Sequence, residues 1–408
     1  MKNITHFSLP NGIPMAHIHV PTAAAEYLAV IVDVGSRDEN RRQHGLAHFV
    51  EHTIFKGTSS RSSIEILNEM ETLGGELNAY TTKEETMIYT VAPRGNVRTS
   101  ASLLTDLIAN ASFPAGEVDK ERQIVADEIE SYLDIPSEAI FDDFEDLIFK
   151  GTPLGHNILG TKKSVESLDS RACKQWLDDF FVPSAMGVVY LGSAEPCQVY
   201  NILSSTLGEI PGRKRACRRE LNGISTSQFS KTRRIGSHQA HVMLGVGSAS
   251  LYSEDRHAWS LLANVLGGPG MNSLLNIAMR EQHGLVYNVE AANTCFVDGG
   301  IFTIYFGCDK SDVNACLEVC KKVIHDFAKC PPCDERLQAA LRQYAGQMTV
   351  ASESHLETAL GAARRLLRHG KAGTLDEMIA KINSISAREI EECAARLDSE
   401  GMNMLIMR

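Results

Sequence analysis

The chain has 408 residues, 43% of them hydrophobic and 22% charged, with a formal net charge of −11. That length exceeds one ordinary core and implies two or more domains. The acidic balance argues against nucleic acid or an anionic membrane as the main partner, while leaving room for an acidic cavity that prefers basic ligands.

The opening stretch "MKNITHFSLPNGIPMAHIHV" has neither a basic start followed by an apolar run nor an Arg/Ser-rich presequence. The longest apolar runs, such as "YLAVIVDV", are too short to span a bilayer. Together these point to a cytoplasmic protein with no membrane partner. Ten cysteines are scattered from Cys173 to Cys393, unlike the dense spacing of a disulfide framework. Cys330 and Cys333 form the only C-x-x-C. As chemistry it is a redox pair or half a zinc site; as structure it is a proline-stiffened loop before the helix "DERLQAALRQYAGQM". No second C-x-x-C exists and no strand leads into this one, which favours the loop.

In chain order, short alternating strands joined by the turn "PNG" come first. "YLAVIVDVGSRDE" is a strand ending in a Gly-Ser turn, and the segment "HGLAHFVEHTIFKGT" follows as a helix. "IEILNEMETLGG" predicts a helix stopped by glycine, "ELNAYTTKEETMIYTVAP" a hairpin, and "VRTSASLLTDLIANASF" a further helix. An acidic helical region covers about 115–150. "PLGHNILGT" is a loop, "MGVVYLGSA" a buried strand and "CQVYNILSSTLGEI" a helix. The stretch "GEIPGRKRACRRELNGIST", rich in Gly, Lys and Arg, has the composition of an exposed linker. It divides the chain into domains 1–214 and 215–408. The second half repeats the theme: "QAHVMLGVGSASLYSEDRHAWSLLANVLGG" matches "EYLAVIVDVGSRDENRRQHGLAHFVEHTIFKG" in pattern, each a strand ending in V-G-S, a polar turn and an apolar helix. The second copy has Leu and Ala where the first has its His/Glu cluster.

On a helical wheel, Leu46, Phe49, Val50 and Ile54 form one face, and His44, His48, Glu51, His52 and Phe55 gather on the other. His48 and His52, one turn apart, can reach a single ion, and Glu51 can touch a water on that ion without ligating it. The alternative is a solvated polar face. The next long helix, "EVDKERQIVADEIESYLDIP", places Glu121 and Glu128 two turns apart within a stripe of Val118, Ile124, Val125, Ile129 and Tyr132. Two carboxyl groups on a buried stripe are costly unless a cation compensates them. Glu128 is therefore the candidate third ligand, and Glu121 the group that orients a ligating histidine through its distal N–H. Two histidines and one carboxylate with a fourth position left for water is a catalytic zinc pattern, with one Zn2+ per chain. Glu51 then serves as general base toward the zinc-bound water, and the expected reaction is peptide-bond hydrolysis.

H-x-x-E-H is the inverted zincin signature. With "GGELNAYTTKEETMIY", "ERQIVADEIESYLDIP" and "PLGHNILGT", the motif resembles the family of pitrilysin, insulin-degrading enzyme and mitochondrial processing peptidase over nearly the whole chain. The resemblance implies His48, His52 and Glu128 as ligands and Glu121 in support. It also implies an α+β fold of two homologous α/β-sandwich repeats, each an antiparallel-rich sheet covered by helices. "LGGPGMNSLLNIAMREQHGLVYNVEA" is similar to the family segment whose Arg and Tyr hold the substrate and stabilise the oxyanion, here Arg280 and Tyr287. The family binds peptide as an added strand, making Asn78 and Ala79 candidates for backbone contacts; a plain core strand is the other reading. Short members of the family dimerise into a clamshell chamber, so the expectation is a homodimer acting on peptides, with Arg280 and Tyr287 of one subunit completing the site of the other. A non-catalytic peptide-binding or structural subunit of the same fold is the alternative. Thr53 stands where the family commonly has methionine, at a position that is not a ligand.

Overall fold

The computed structural model describes residues 3–213, 215, 219, 221, 223–330, 332–399 and 401–408. The first half contains β1 (Asn3–Ser8), β2 (Pro14–His19), β3 (Ala25–Val32), α1 (Leu46–Thr53), α2 (Ser63–Glu71), β4 (Glu76–Thr81), β5 (Thr86–Pro93), α3 (Val97–Asn110), α4 (Ala115–Leu133), α5 (Pro136–Ile148), α6 (Lys162–Val165), α7 (Ser170–Phe180), β6 (Met186–Gly192) and α8 (Pro196–Ser204). The second contains β7 (Ser230–Arg233), β8 (Gln239–Ser248), α9 (Arg256–Gly267), β9 (Val286–Phe296), β10 (Gly299–Asp309), α10 (Val313–Lys329), α11 (Asp334–Ala351), α12 (His355–His369), α13 (Leu375–Asn383), α14 (Ala387–Ser399) and β11 (Asn403–Met407). A π-helical turn, Asn276–Gln282, precedes β9.

The two sheets share one plan. The first runs β1-β2-β6-β3-β5-β4 and the second β7-β11-β8-β10-β9. In each, a central strand (β3 or β8) lies antiparallel between one strand of the following hairpin (β5 or β10) and a strand from the end of the repeat. That last strand then pairs in parallel with the next one, β6 with β2 and β11 with β7. The duplicated α+β unit expected from the V-G-S repeat is this shared topology.

Strand alternation divides each core into two layers. In β3, Leu28, Val30 and Val32 join Leu46, Phe49 and Val50 of α1 and Leu103, Leu104 and Leu107 of α3. Ala29 and Ile31 point the other way and meet Ala359, Ala362, Ala363 and Leu366 of α12. The second sheet does the reverse. Val242, Leu244 and Val246 of β8 pack under α9, whereas Met243 packs with Ile140, Phe144 and Ile148 of α5. Gly245 makes room for α5: a Cβ there would fall 2.8 Å from Phe144 Cζ and 2.7 Å from the Phe302 carbonyl oxygen.

The compact units are accordingly discontinuous. One comprises Met1–Glu130, His156–Arg219 and Ala351–Leu375; the other Ser131–Gly155, Glu220–Val350 and Asp376–Arg408. This differs from a single cut at 214/215, because each half lends a helix to the other's sheet. Lys214 at that cut, and 216–218, 220 and 222, lie outside the described residues. The acidic helical region is two helices, divided before Pro136, with α4 in the first unit up to Glu130 and α5 wholly in the second.

Two linker arginines are not free in solvent as the composition implies. Arg215 Nη1 lies 2.8 Å from Asp33 Oδ2, and Arg219 Nη2 lies 2.6 Å from Asp38 Oδ2. Cys330 and Cys333 are exposed just before α11, and Pro331 lies outside the described residues.

Candidate metal centre

Helix α1 has eight residues and an apolar side made of Leu46, Phe49 and Val50. It begins at Leu46, two residues later than the wheel assumed, so His44 lies before it rather than on it. Gly45, at its N-cap, has φ 94. A Cβ there would meet the Leu159 carbonyl oxygen at 2.6 Å, so the close backbone approach of the "PLGHNILGT" loop requires glycine. Thr53, the departure from methionine, is buried and donates its hydroxyl to the Phe49 carbonyl at 2.7 Å.

Helix α4 faces α1 with Glu121 and Glu128. Val118, Val125 and Ile129 are buried, but Ile124 is 49% exposed, which corrects the expected stripe. At about 100° per residue the buried side centres on the two valines and Ile129. Glu121 and Glu128 lie along its border, and Ile124 falls beyond it. Glu121 is buried while the Glu128 side chain is 41% exposed.

The structure brings His48, His52 and Glu128 together, with one donor atom from each within 4.8 Å of the others. His52 Nε2 is 3.4 Å from Glu128 Oε2, and His48 Nε2 is 3.8 Å from Glu128 Oε1. Tetrahedral zinc with bonds of about 2.0–2.1 Å sets neighbouring donors roughly 3.3 Å apart. The observed separations are close to that, and 3.8 Å is too long for a hydrogen bond. Burial, then the neighbouring His52, holds His48 down to about 3, so its imidazole is neutral, the form that binds a metal. Glu128 Oε2 is buried with no hydrogen-bond partner among the described residues. An orphaned carboxylate oxygen facing two histidines fits a cation.

Glu121 Oε2 lies 3.3 Å from His52 Nδ1, and its Oε1 lies 2.7 Å from Lys56 Nζ. Glu51 Oε2 is buried without a hydrogen-bond partner among the described residues. Burial raises the Glu51 carboxyl above its ordinary value, and Thr81 at the end of β4 opposes the rise.

Asn78 and Ala79 lie on β4, an edge strand of the first sheet. The Ala79 N–H donates to Asn78 Oδ1 at 2.8 Å, so the side chain caps a backbone donor at that edge. Arg280 and Tyr287 belong to the second unit. Arg280 sits on the π-helical turn and lines a cleft of about 310 Å³ with Gly267, Gly268, Asn276 and Glu290. Tyr287 is the second residue of β9 and is 61% exposed. Sequence reasoning passed over Lys56, although it lies four residues after His52, the spacing that puts both on one helical side. It also passed over Glu39, buried behind α1.

Residues 15–162 match the family described as Insulinase (Peptidase family M16), and residues 167–344 match Peptidase M16 inactive domain. The chain belongs to peptidase family M16. A Bacillus subtilis protein named "Uncharacterized zinc protease YmxG" is 27% identical over 397 residues, covering 97% of this M16 chain and 96% of the relative. A Rickettsia bellii "Uncharacterized zinc protease" is 26% identical over 415 residues, covering 100% and 98%. A crystal structure from Pseudomonas fluorescens, described as a peptidase M16 inactive domain, superposes with a TM-score of 0.91 at 17% identity, covering 99% of this chain and 97% of that one. A Helicobacter pylori protease gives 0.90 at 17% identity with full coverage of both. These two share the M16 fold. No helix among the described residues is long and apolar enough to cross a membrane.

Proposed function

We propose that the chain is a zinc-dependent endopeptidase that hydrolyses peptides or unfolded segments. The observation that carries this reading is the convergence of His48, His52 and Glu128 beside a buried, unpartnered Glu51 carboxyl oxygen. The three would hold one zinc ion per chain. A zinc ion held there supplies Lewis-acid polarisation of the peptide carbonyl and acidifies water. Glu121 accepts from His52 Nδ1–H and so fixes the tautomer that leaves the Nε2 lone pair free to ligate the ion alongside Glu128. Glu51 takes the proton of the attacking water and passes it to the leaving amine. Its raised pKa suits a group that must both accept and return a proton.

Substrate joins the outer edge of β4 as an added strand, with Asn78 and Ala79 offering backbone groups once the Asn78 side chain yields the Ala79 N–H. Reading backbone rather than side chains allows broad specificity. Repeat 1–214 is the catalytic half, and repeat 215–408 contributes Arg280 and Tyr287 as donors toward the developing oxyanion. The assembly is a homodimer enclosing a chamber, in which Arg280 and Tyr287 of one subunit complete the site of the other. The net charge of −11 favours basic peptides as substrates.

Cleavage of a quenched fluorescent peptide tests the reading. Activity that is lost in chelator and restored by zinc supports it. Activity indifferent to chelator, or none at all from zinc-loaded protein, contradicts it and leaves the non-catalytic peptide-binding alternative.

A further inference from the structure

An eight-residue helix is marginal alone, since isolated helices need roughly 12–15 residues to persist in water. Helix α1 is this short, and its N-cap is a glycine with no side chain to cap the first turn. The cap comes instead from Glu39. Its Oε2 accepts from the Gly45 N–H at 2.8 Å and its Oε1 from the Ala47 N–H at 2.7 Å. The Glu39 side chain is 0% exposed.

Three segments meet at this carboxyl. Glu39 itself follows the turn after β3. His156, from the "PLGHNILGT" loop, places Nε2 3.2 Å from Glu39 Oε2. Its ring stacks on His44 with centroids 3.8 Å apart and planes at 8°. Buried Lys83, from the turn between β4 and β5, donates its ammonium to the His156 carbonyl at 2.5 Å. The group thus ties the start of α1 to the loop before α6 and to the end of β4, where Thr81 stands beside Glu51. Ala47, which Glu39 grips, is the residue before His48.

We propose that Glu39 is a positioning residue for the metal centre: its buried carboxyl, braced by His156, fixes the first turn of α1 so that His48 and His52 meet Glu128 as ligands. This rests on the zinc-peptidase reading above. A full-length structural cap alone would not need the brace to a distant loop, and a buried carboxyl with no role beyond stability is a costly substitute for an Asp or Ser at the cap itself.

The test is zinc affinity of the full-length chain, measured by competition with a fluorescent chelator, together with kcat and KM at saturating zinc and melting of the metal-free protein. Glu39→Gln keeps the size. Either orientation of its amide turns an N–H toward the Gly45 or the Ala47 N–H, so one contact is lost. The expected result is zinc binding weaker by about tenfold and a lower kcat with KM unchanged. His156→Gln, which leaves the cap in place and removes the brace, is expected to shift both in the same direction by a smaller factor. It also serves if Glu39→Gln fails to fold. Wild-type zinc affinity and kcat in the folded variants, with only the melting temperature lowered, would overturn the inference and leave Glu39 an ordinary cap. A wild type that binds no zinc would overturn the metal-centre reading and this inference with it. A wild type that binds zinc without cleaving still decides the role of Glu39 through affinity alone.

Discussion

Glu121 stands behind His52, its Oε2 3.3 Å from His52 Nδ1 and its Oε1 2.7 Å from Lys56 Nζ. One buried carboxyl therefore contacts both the candidate ligand and a cation from the next turn. Glu121→Gln keeps an acceptor for Nδ1–H but removes the charge that answers Lys56. We expect zinc affinity to fall by about tenfold or more, with the fold intact, in chelator competition. Unchanged affinity would show that His52 is oriented by something else.

The pH dependence of stability has a defined sign. Burial first, then His156 stacked on it, holds His44 down to about 4. Its unfolded value is about 6.5, so the unfolded chain binds the proton more readily below that pH. Stability contributed by neutral His44 is full above about 6.5 and is lost as pH falls toward 4. His48, held to about 3, acts in the same sense. Melting of the metal-free protein between pH 7 and pH 4 should show a shallower decline for His44→Asn than for wild type. Identical slopes would contradict this.

The exchanged helices predict localised damage. Phe144 of α5 is fully buried against the second sheet and meets Phe229 at 5.3 Å between ring centroids. Phe144→Ala should cost about 3–5 kcal/mol. Hydrogen exchange should show protection lost in β8, β10 and β11, not in β3 and β6. Leu366→Ala in α12 should do the converse at about 2–5 kcal/mol. Damage that follows a cut at 214/215 would contradict the discontinuous units.

Tyr287 is mostly exposed, so Tyr287→Phe should leave stability within about 0.5 kcal/mol of wild type. If it donates toward the oxyanion, kcat should fall by about a hundredfold with zinc content unchanged. A full-rate Tyr287→Phe enzyme would remove it from the site. Full activity from a monomer would likewise end the shared-site dimer.

What the sequence showed, and what it hid, follows from range. His48, Glu51 and His52 are legible because a helix brings residues one turn apart into register. Glu128 is legible because its helix is amphipathic, although periodicity alone misplaced Ile124 by centring the stripe on the acids. Glu39, His156 and Lys83 meet only through tertiary approach of three loops, which no local pattern encodes. An apolar helical face states that a core exists, not which sheet supplies it, so the crossing of α5 and α12 was invisible. Linker arginines read as solvated because composition records charge and not partners, and Asp33 and Asp38 lie far back in the chain.

In the proposed mechanism one constellation binds zinc, and Glu51 separates binding from chemistry. The most direct measurement is zinc content per chain, taken beside peptide cleavage, for wild type, Glu51→Gln and Glu128→Gln. We expect one zinc and cleavage in wild type, one zinc and no cleavage in Glu51→Gln, and zinc bound at least tenfold more weakly in Glu128→Gln. Cleavage by Glu51→Gln at the wild-type rate would contradict it.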